Sequence, residues 1–68
     1  MLDKEALREE FRKNGKSQKD IAVMLNISER TMCRRMKSGV FGSDEVLIMV
    51  KELGISDPQD IFFAEVVT

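Results

Sequence analysis

The chain has 68 residues and is highly charged, with 11 Lys or Arg, 12 Asp or Glu and no His, for a formal net charge of −1. This length suits one small domain that buries only about 60% of its unfolded surface, so pairing with a second copy would add stability. With no His and one Cys, we expect no metal site, no cofactor, no internal disulfide and no nucleophile–base pair. The composition favours a binding module and disfavours an enzyme.

The sequence contains no signal for membrane insertion or export. No apolar run approaches the roughly 18 residues that a membrane span needs, and the first ten residues, MLDKEALREE, are charged where a signal peptide would be apolar. A single Cys fits a reducing compartment. These features predict a cytoplasmic protein with no membrane partner.

Charge is distributed unevenly along the chain. Residues 12–37 hold eight basic and two acidic side chains, net +6, whereas residues 1–11 carry −2 and residues 38–68 carry −5. A basic middle between acidic ends indicates a local site for a polyanion. A solvated charged face gives the same pattern, so charge alone leaves both interpretations open.

The first two predicted helices are separated by Gly15. Residues 2–14 carry one apolar stripe, and Gly15 follows as a stop signal. Ser17 is the expected N-cap of the second helix, with Asp20 in capping-box position. Asn26 ends that helix, because Asn tolerates the left-handed conformation. The residues expected to face inward are Ala6, Leu7, Phe11, Ile21, Ala22 and Leu25.

The third helix is expected to begin after Ser28 and to end near Ser38 and Gly39. Met32 and Met36 lie four residues apart and are predicted to fill the core, since Met adapts to irregular gaps.

The remaining helices follow a short loop in which Phe41 is the expected core anchor. Ser43 is predicted to cap a fourth helix, which Gly54 ends. Pro58 suits the first position of a fifth helix. The apolar residues of these two helices are Val46, Val50, Leu53, Ile61, Phe62 and Phe63. The sequence thus predicts one all-α domain over residues 1–68, a compact bundle of about five short helices.

Residues 18–37 meet the physical requirements of a helix-turn-helix. Ala22 is small where the following helix would lean on it, the chain reverses at Asn26, and Ile27 fills the gap between the helices. In this motif the second helix is presented to the DNA major groove.

The same segment resembles the helix-turn-helix of Cro/CI-type phage repressors and the wider xenobiotic-response-element (XRE) family. Downstream, residues 36–55 and 57–64 resemble small Cro-like regulators of phages from Gram-positive bacteria, so the resemblance extends over about residues 5–64. It implies a lambda-repressor-like fold. Arg35 departs from the pattern, because many members have an aliphatic residue there. The positions that match are Gln18, Ile21, Ala22, Asn26, Ile27, Ser28 and Met32.

The resemblance also implies which residues contact DNA. The groove-facing set is Ser28, Glu29, Arg30, Cys33 and Arg34, and the phosphate-facing set is Lys16, Gln18, Lys19, Lys37 and Ser38. Arg30 suits a bidentate contact to guanine. Glu29 either accepts from a cytosine amino group or stabilises the start of its helix. Cys33 is an inert side chain near the groove or a redox sensor.

Our hypothesis is a Cro-like repressor that binds double-stranded operator DNA as a homodimer and needs no small-molecule ligand. Two recognition helices would enter successive major grooves about 34 Å apart on a near-palindromic site. The dimer surface is expected in residues 58–68, although Phe62 or Phe63 could instead belong to the core. The residues assigned to this surface are Ile61, Phe62, Phe63, Val66 and Val67.

Two alternatives belong to other functional classes. The chain could be an antirepressor or co-repressor that binds another phage repressor, and its acidic C-terminal third would suit a partner with a basic face. It could also be the antitoxin of a toxin–antitoxin pair. Binding of specific DNA by the protein alone distinguishes the regulator from the interaction module.

Overall fold

The computed structural model describes residues 2–63, which form five α-helices and no strand. The helices are α1 (Lys4–Lys13), α2 (Gln18–Met24), α3 (Glu29–Ser38), α4 (Ser43–Leu53) and α5 (Pro58–Phe62). The predicted all-α class is confirmed. Within the described residues, no helix is long and apolar enough to cross a membrane.

Side-chain caps define the start and end of α1. The Asp3 carboxylate accepts a hydrogen bond from the Ala6 N–H at 3.1 Å, so the helix begins two residues later than predicted. At the other end, Asn14 Nδ2 donates to the Leu53 carbonyl at 3.1 Å. This bond joins the C-terminal ends of α1 and α4.

Helix α2 begins with the predicted capping box. The Asp20 N–H donates to Ser17 Oγ at 3.2 Å, and Asp20 Oδ2 accepts from the Ser17 N–H at 2.9 Å. Both bonds satisfy N–H groups that have no partner inside the helix. Asn26 follows α2 with φ of 58°, the left-handed conformation expected of it.

The predicted N-cap of α4 is wrong by one residue. Gly42 is the cap and Ser43 is the first helical residue. Glu45 stabilises this start, because its Oε1 accepts from the Gly42 N–H at 2.7 Å. A Glu three residues after the cap can satisfy the cap's N–H even where the cap has no side chain.

The core is entirely apolar among the described residues. The four largest side chains that are completely buried are Leu7, Ile21, Met32 and Met49. The inward stripes predicted for α1, α2 and α3 are confirmed, with Ala6 only partly buried. On α4 the sequence identified Leu53 but missed Met49, and the predicted Val46 and Val50 lie half-buried on either side of it.

Helix α5 closes the core over the first residues of the chain. Pro58 occupies its first turn as predicted, and the Asp3 N–H donates to the Ile61 carbonyl at 2.7 Å. The predicted anchor Phe41 meets Phe62 edge to face, with ring centroids 6.3 Å apart. These contacts turn Ile61 and Phe62 inward.

The structure therefore revises the expected dimer surface. Ile61 and Phe62 are only 8% and 6% exposed and belong to the chain's own core, whereas Phe63 is 62% exposed. Val66 and Val67 lie outside the described residues. Of the five residues, Phe63 is the one that the structure places on an open surface.

The capping box of α2 makes stability depend on pH. The Ser17 N–H, then the Ser17 hydroxyl, and further Lys16 and Lys19 hold the pKa of Asp20 below its ordinary value of 3.8. A carboxylate with a lowered folded-state pKa stabilises the protein above its unfolded pKa, and this stabilisation is lost as the pH falls through the folded pKa.

We expect Asp20→Asn to lower the melting temperature at neutral pH, and the difference from wild type to narrow as the pH falls below 3.8. Thermal melts across an acid pH series measure this. Asp57→Asn is the matched control, because Asp57 caps α5 without a side-chain hydrogen bond. A difference in melting temperature between Asp20→Asn and wild type that stays the same at all pH values would contradict the proposed role of the Asp20 carboxylate.

Candidate nucleic-acid interface

Helix α3 has one buried side and one exposed side. Met32 and Met36 are buried, whereas Arg30, Cys33 and Arg34 are exposed. Residues spaced by three and four share one side of a helix, so the sequence pattern alone places these three side chains together. The result is a basic surface on a helix whose other side is anchored in the core.

The connection between α2 and α3 is four residues long, residues 25–28. The Ile27 N–H donates to the Ala22 carbonyl at 3.0 Å, and Asn26 in its left-handed conformation reverses the chain. Ala22 is 1% exposed and belongs to the buried core at this connection. This short connection holds the start of α3 beside α2.

The hydroxyl of Ser28 is engaged in capping α3. Ser28 Oγ accepts from the Thr31 N–H at 3.1 Å and donates to Thr31 Oγ1 at 3.0 Å. A base contact from this hydroxyl would have to use its remaining lone pair. Ser28 therefore acts first as the residue that begins the helix.

Glu29 faces α2 across the corner. One of its carboxylate oxygens lies 3.7 Å from Lys19 Nζ, and both side chains are mostly exposed. An exposed pair at this distance stabilises the fold little. Glu29 nevertheless lowers the local positive charge at the start of α3.

The N-terminal end of α2 borders the exposed side of α3. Gln18, Lys19, Glu29 and Cys33 line one shallow depression of about 230 Å³. Gln18 is the first residue of α2, where unpaired backbone N–H groups favour an anion. The tertiary structure thus brings two predicted phosphate contacts, Gln18 and Lys19, next to two predicted base contacts, Glu29 and Cys33.

The other predicted phosphate contacts do not line this depression. Lys16 precedes the α2 cap, and Lys37 and Ser38 are in the last turn of α3. Ser38 Oγ donates to the Arg35 carbonyl at 3.3 Å and accepts from the Val40 N–H at 3.3 Å. Ser38 is therefore occupied in ending α3.

Arg35, at the position where the resemblance led us to expect an aliphatic residue, joins α3 to α4. Its Nε lies 2.9 Å from Glu45 Oε2, and the two side chains are 36% and 13% exposed. The Nε atom is buried and makes no well-aligned hydrogen bond among the described residues, so the contact is mainly ionic. Met36, one residue later, supplies the apolar side chain that enters the core.

Two cations that the sequence did not single out border the same surface. Lys4 and Arg8 of α1 line a second depression of about 280 Å³ together with Gln18, Cys33 and Lys37. Their spacing of four indicates a shared side of α1, but nothing in the sequence shows that this side faces α3. Because residues 1–11 carry a net negative charge, the charge distribution along the chain did not assign Lys4 and Arg8 to the basic site.

The chemistry available here is electrostatic attraction and hydrogen-bond donation. The described residues contain no group of three or more His, Cys, Asp or Glu side chains placed to hold a metal ion. Arginine guanidinium groups on a convex helical surface can bind planar acceptor pairs and phosphate oxygens.

Comparison with known proteins adds no family assignment: no family model matches the chain, and neither the curated proteins nor the solved structures contain a significant match.

Proposed function

We propose that this protein is a sequence-specific DNA-binding regulator of the Cro-like type, acting in the cytoplasm on double-stranded operator DNA. The observation that carries the proposal is the two-sided α3 helix. Its Met32 and Met36 side is buried, and its Arg30, Cys33 and Arg34 side is exposed next to the start of α2. An α-helix presented in this way fits the B-DNA major groove, which is about 12 Å wide.

Arg30 is the residue best suited to read a base. It lies in the first turn of α3, is exposed, and takes part in no ion pair among the described residues. Its guanidinium group can therefore bind guanine O6 and N7 without breaking an internal ion pair. Lys19 lies in the first turn of α2, beside the start of α3, and its ammonium group can bind the phosphate backbone.

Substitution of these two residues separates base reading from phosphate binding. Arg30→Ala should cost about 1–3 kcal/mol on the preferred site and relax base preference at one position. Lys19→Ala should weaken binding to all sequences similarly and lower the salt slope by about one unit. The measurement is site selection from a randomised duplex library, followed by affinities at several salt concentrations.

Two results would contradict this assignment. Reversed behaviour of the two variants would mean that α3 does not face the bases as proposed. Absence of any enriched sequence with wild-type protein would leave only non-specific phosphate attraction and would overturn the regulator hypothesis.

The single cysteine offers a direct test of which surface meets DNA. Cys33 is exposed between Arg30 and Arg34. Bound duplex should slow its reaction with a maleimide by at least about tenfold when nearly all protein is bound, because the bound fraction is shielded. The control is Cys33→Ser combined with Glu52→Cys, which moves the thiol to an exposed position on α4.

We expect the rate of alkylation at position 52 to be unaffected by the same duplex. Equal protection of both thiols, or protection of neither, would show that α3 is not the contact surface.

An apolar groove supports the proposed homodimer. Val40, Leu47 and Phe63 are 66%, 66% and 62% exposed and border a groove of about 570 Å³. Among residues 2–63, those that line this groove include no charged side chain. Two identical copies can therefore meet here without like-charge repulsion, which suits an isologous contact.

Phe63→Asp should convert the dimer to a monomer and weaken binding to a two-fold-symmetric site, because a buried carboxylate without a partner is costly. Sedimentation equilibrium measures the association state. Val23→Asp is the control, since Val23 is 75% exposed on α2 and does not line the groove. A Phe63→Asp protein that remains dimeric would refute this interface.

The same groove favours one alternative function. An apolar groove, in a chain whose residues 38–68 carry a net charge of −5, could bind a repressor with a basic face in place of a second copy. In that case the protein would act as an antirepressor or co-repressor. Wild-type protein that stays monomeric and enriches no DNA sequence would favour this interaction module.

A further inference from the structure

A basic depression lies between α1 and the C-terminal half of α3. Among the residues that the structure describes, the side chains that line it carry three positive charges and no carboxylate. They are Lys4, Arg8, Gln18, Cys33, Met36 and Lys37. Within the described part of the chain, this depression differs from the neighbouring one at Lys19, which Glu29 lines.

One hydrogen bond positions the ammonium group of Lys4 beside α3. Lys4 Nζ donates to the Lys37 carbonyl at 2.9 Å, joining the first residue of α1 to the last turn of α3. A cation at this end of a helix is also stabilised by the helix dipole. Since an ammonium has three N–H donors, two remain available to another acceptor.

Two acidic residues lie near the depression without lining it. Asp3 accepts from the Ala6 N–H and serves as the α1 cap. Glu5 accepts from Arg8 at 3.2 Å, in an exposed pair between residues three apart. An anion of higher charge density could replace Glu5 as the ion-pair partner of Arg8, because an exposed pair of this kind is weak.

We propose that Lys4, Arg8 and Lys37 together bind a phosphate group of the DNA backbone, and that Glu5 opposes this binding by holding Arg8. This inference rests on the proposed function. The depression shares Gln18 and Cys33 with the one at the start of α3. A duplex that covers Cys33 therefore brings a backbone strand to the edge of the basic depression.

Helix α1 contains an internal control for Arg8. Arg12 is one turn farther along and pairs with Glu9 at 2.7 Å, again three residues apart, but it does not line the depression. Arg8→Gln and Arg12→Gln remove the same charge from the same helix. Any difference between them therefore reports position and not net charge.

We expect Arg8→Gln to lower affinity for the selected duplex about two- to fivefold, the range of an exposed ion pair, and to reduce the salt slope by about one unit. The loss should be similar for all sequences, because a phosphate contact carries no base information. Arg12→Gln should retain the wild-type affinity and slope. Fluorescence anisotropy at several salt concentrations measures both quantities.

Glu5 and Glu9, the ion-pair partners of Arg8 and Arg12, give a second pair of matched variants, for which the expected change in affinity has the opposite sign. Glu5→Gln should tighten binding about two- to fivefold, because Arg8 no longer has to leave an ion pair. Glu9→Gln raises the net charge equally and should tighten binding less. Equal tightening by both variants would show a general charge effect and would overturn the proposed role of Glu5.

Lys4→Gln is read together with its thermal melt, because Lys4 also binds the end of α3. The salt slope of Arg8→Gln decides whether the depression binds a phosphate, even if Lys4→Gln proves unstable. If wild type binds a specific sequence but Arg8→Gln behaves as Arg12→Gln does, the phosphate site is refuted and the proposed function stands. If wild type selects no sequence, both are refuted.

Discussion

Two methionines hold α3 against the rest of the molecule, and the exposed surface depends on them. Met32 and Met36 are the buried residues of a ten-residue helix whose other side chains are mostly polar or charged. Since residues in a helix advance by about 100° each, burying these two fixes the helix rotation and turns Arg30, Cys33 and Arg34 outward. A rotation by one residue would replace Met32 and Met36 by Cys33 and Lys37 on the inner side and carry the Lys37 ammonium toward the core, at a large desolvation cost.

Helices of five to eleven residues are marginal on their own, so the protein relies on caps and on packing between helices. Asp20 and Ser28 satisfy N–H groups at the starts of α2 and α3. Asn26 supplies the left-handed turn between them. Glu45 has two roles, because one oxygen accepts from the α4 cap and the other contacts Arg35 of α3. Arg35, although it belongs to the basic segment, is therefore part of the scaffold that orients α3.

The distribution of charge in space differs from its distribution along the chain. Residues 1–11 carry a net charge of −2, yet two of their cations, Lys4 and Arg8, join Lys37 in one basic depression. The carboxylates of α1 are engaged differently: Glu5 and Glu9 pair with arginines along the helix, and Asp3 caps it. A polyanion approaching the exposed side of α3 would thus meet positive charge from α1 as well as from α3, which favours oriented binding over general attraction.

The sequence by itself determined the five helices, the α2 capping box, the Asn26 turn and the inward positions of Ala22 and Met32. These features depend on interactions within a few residues, and such interactions are visible in spacing and residue type. Only the tertiary structure decided that Met49 is the most buried residue of α4. Residues 46–50 are all apolar, so the sequence does not show which side of this helix faces the core. It also decided that Phe63 stays exposed while Ile61 and Phe62 turn inward, and that α1 contributes cations to the α3 surface. These outcomes depend on which elements meet in space, and local periodicity carries no information about that.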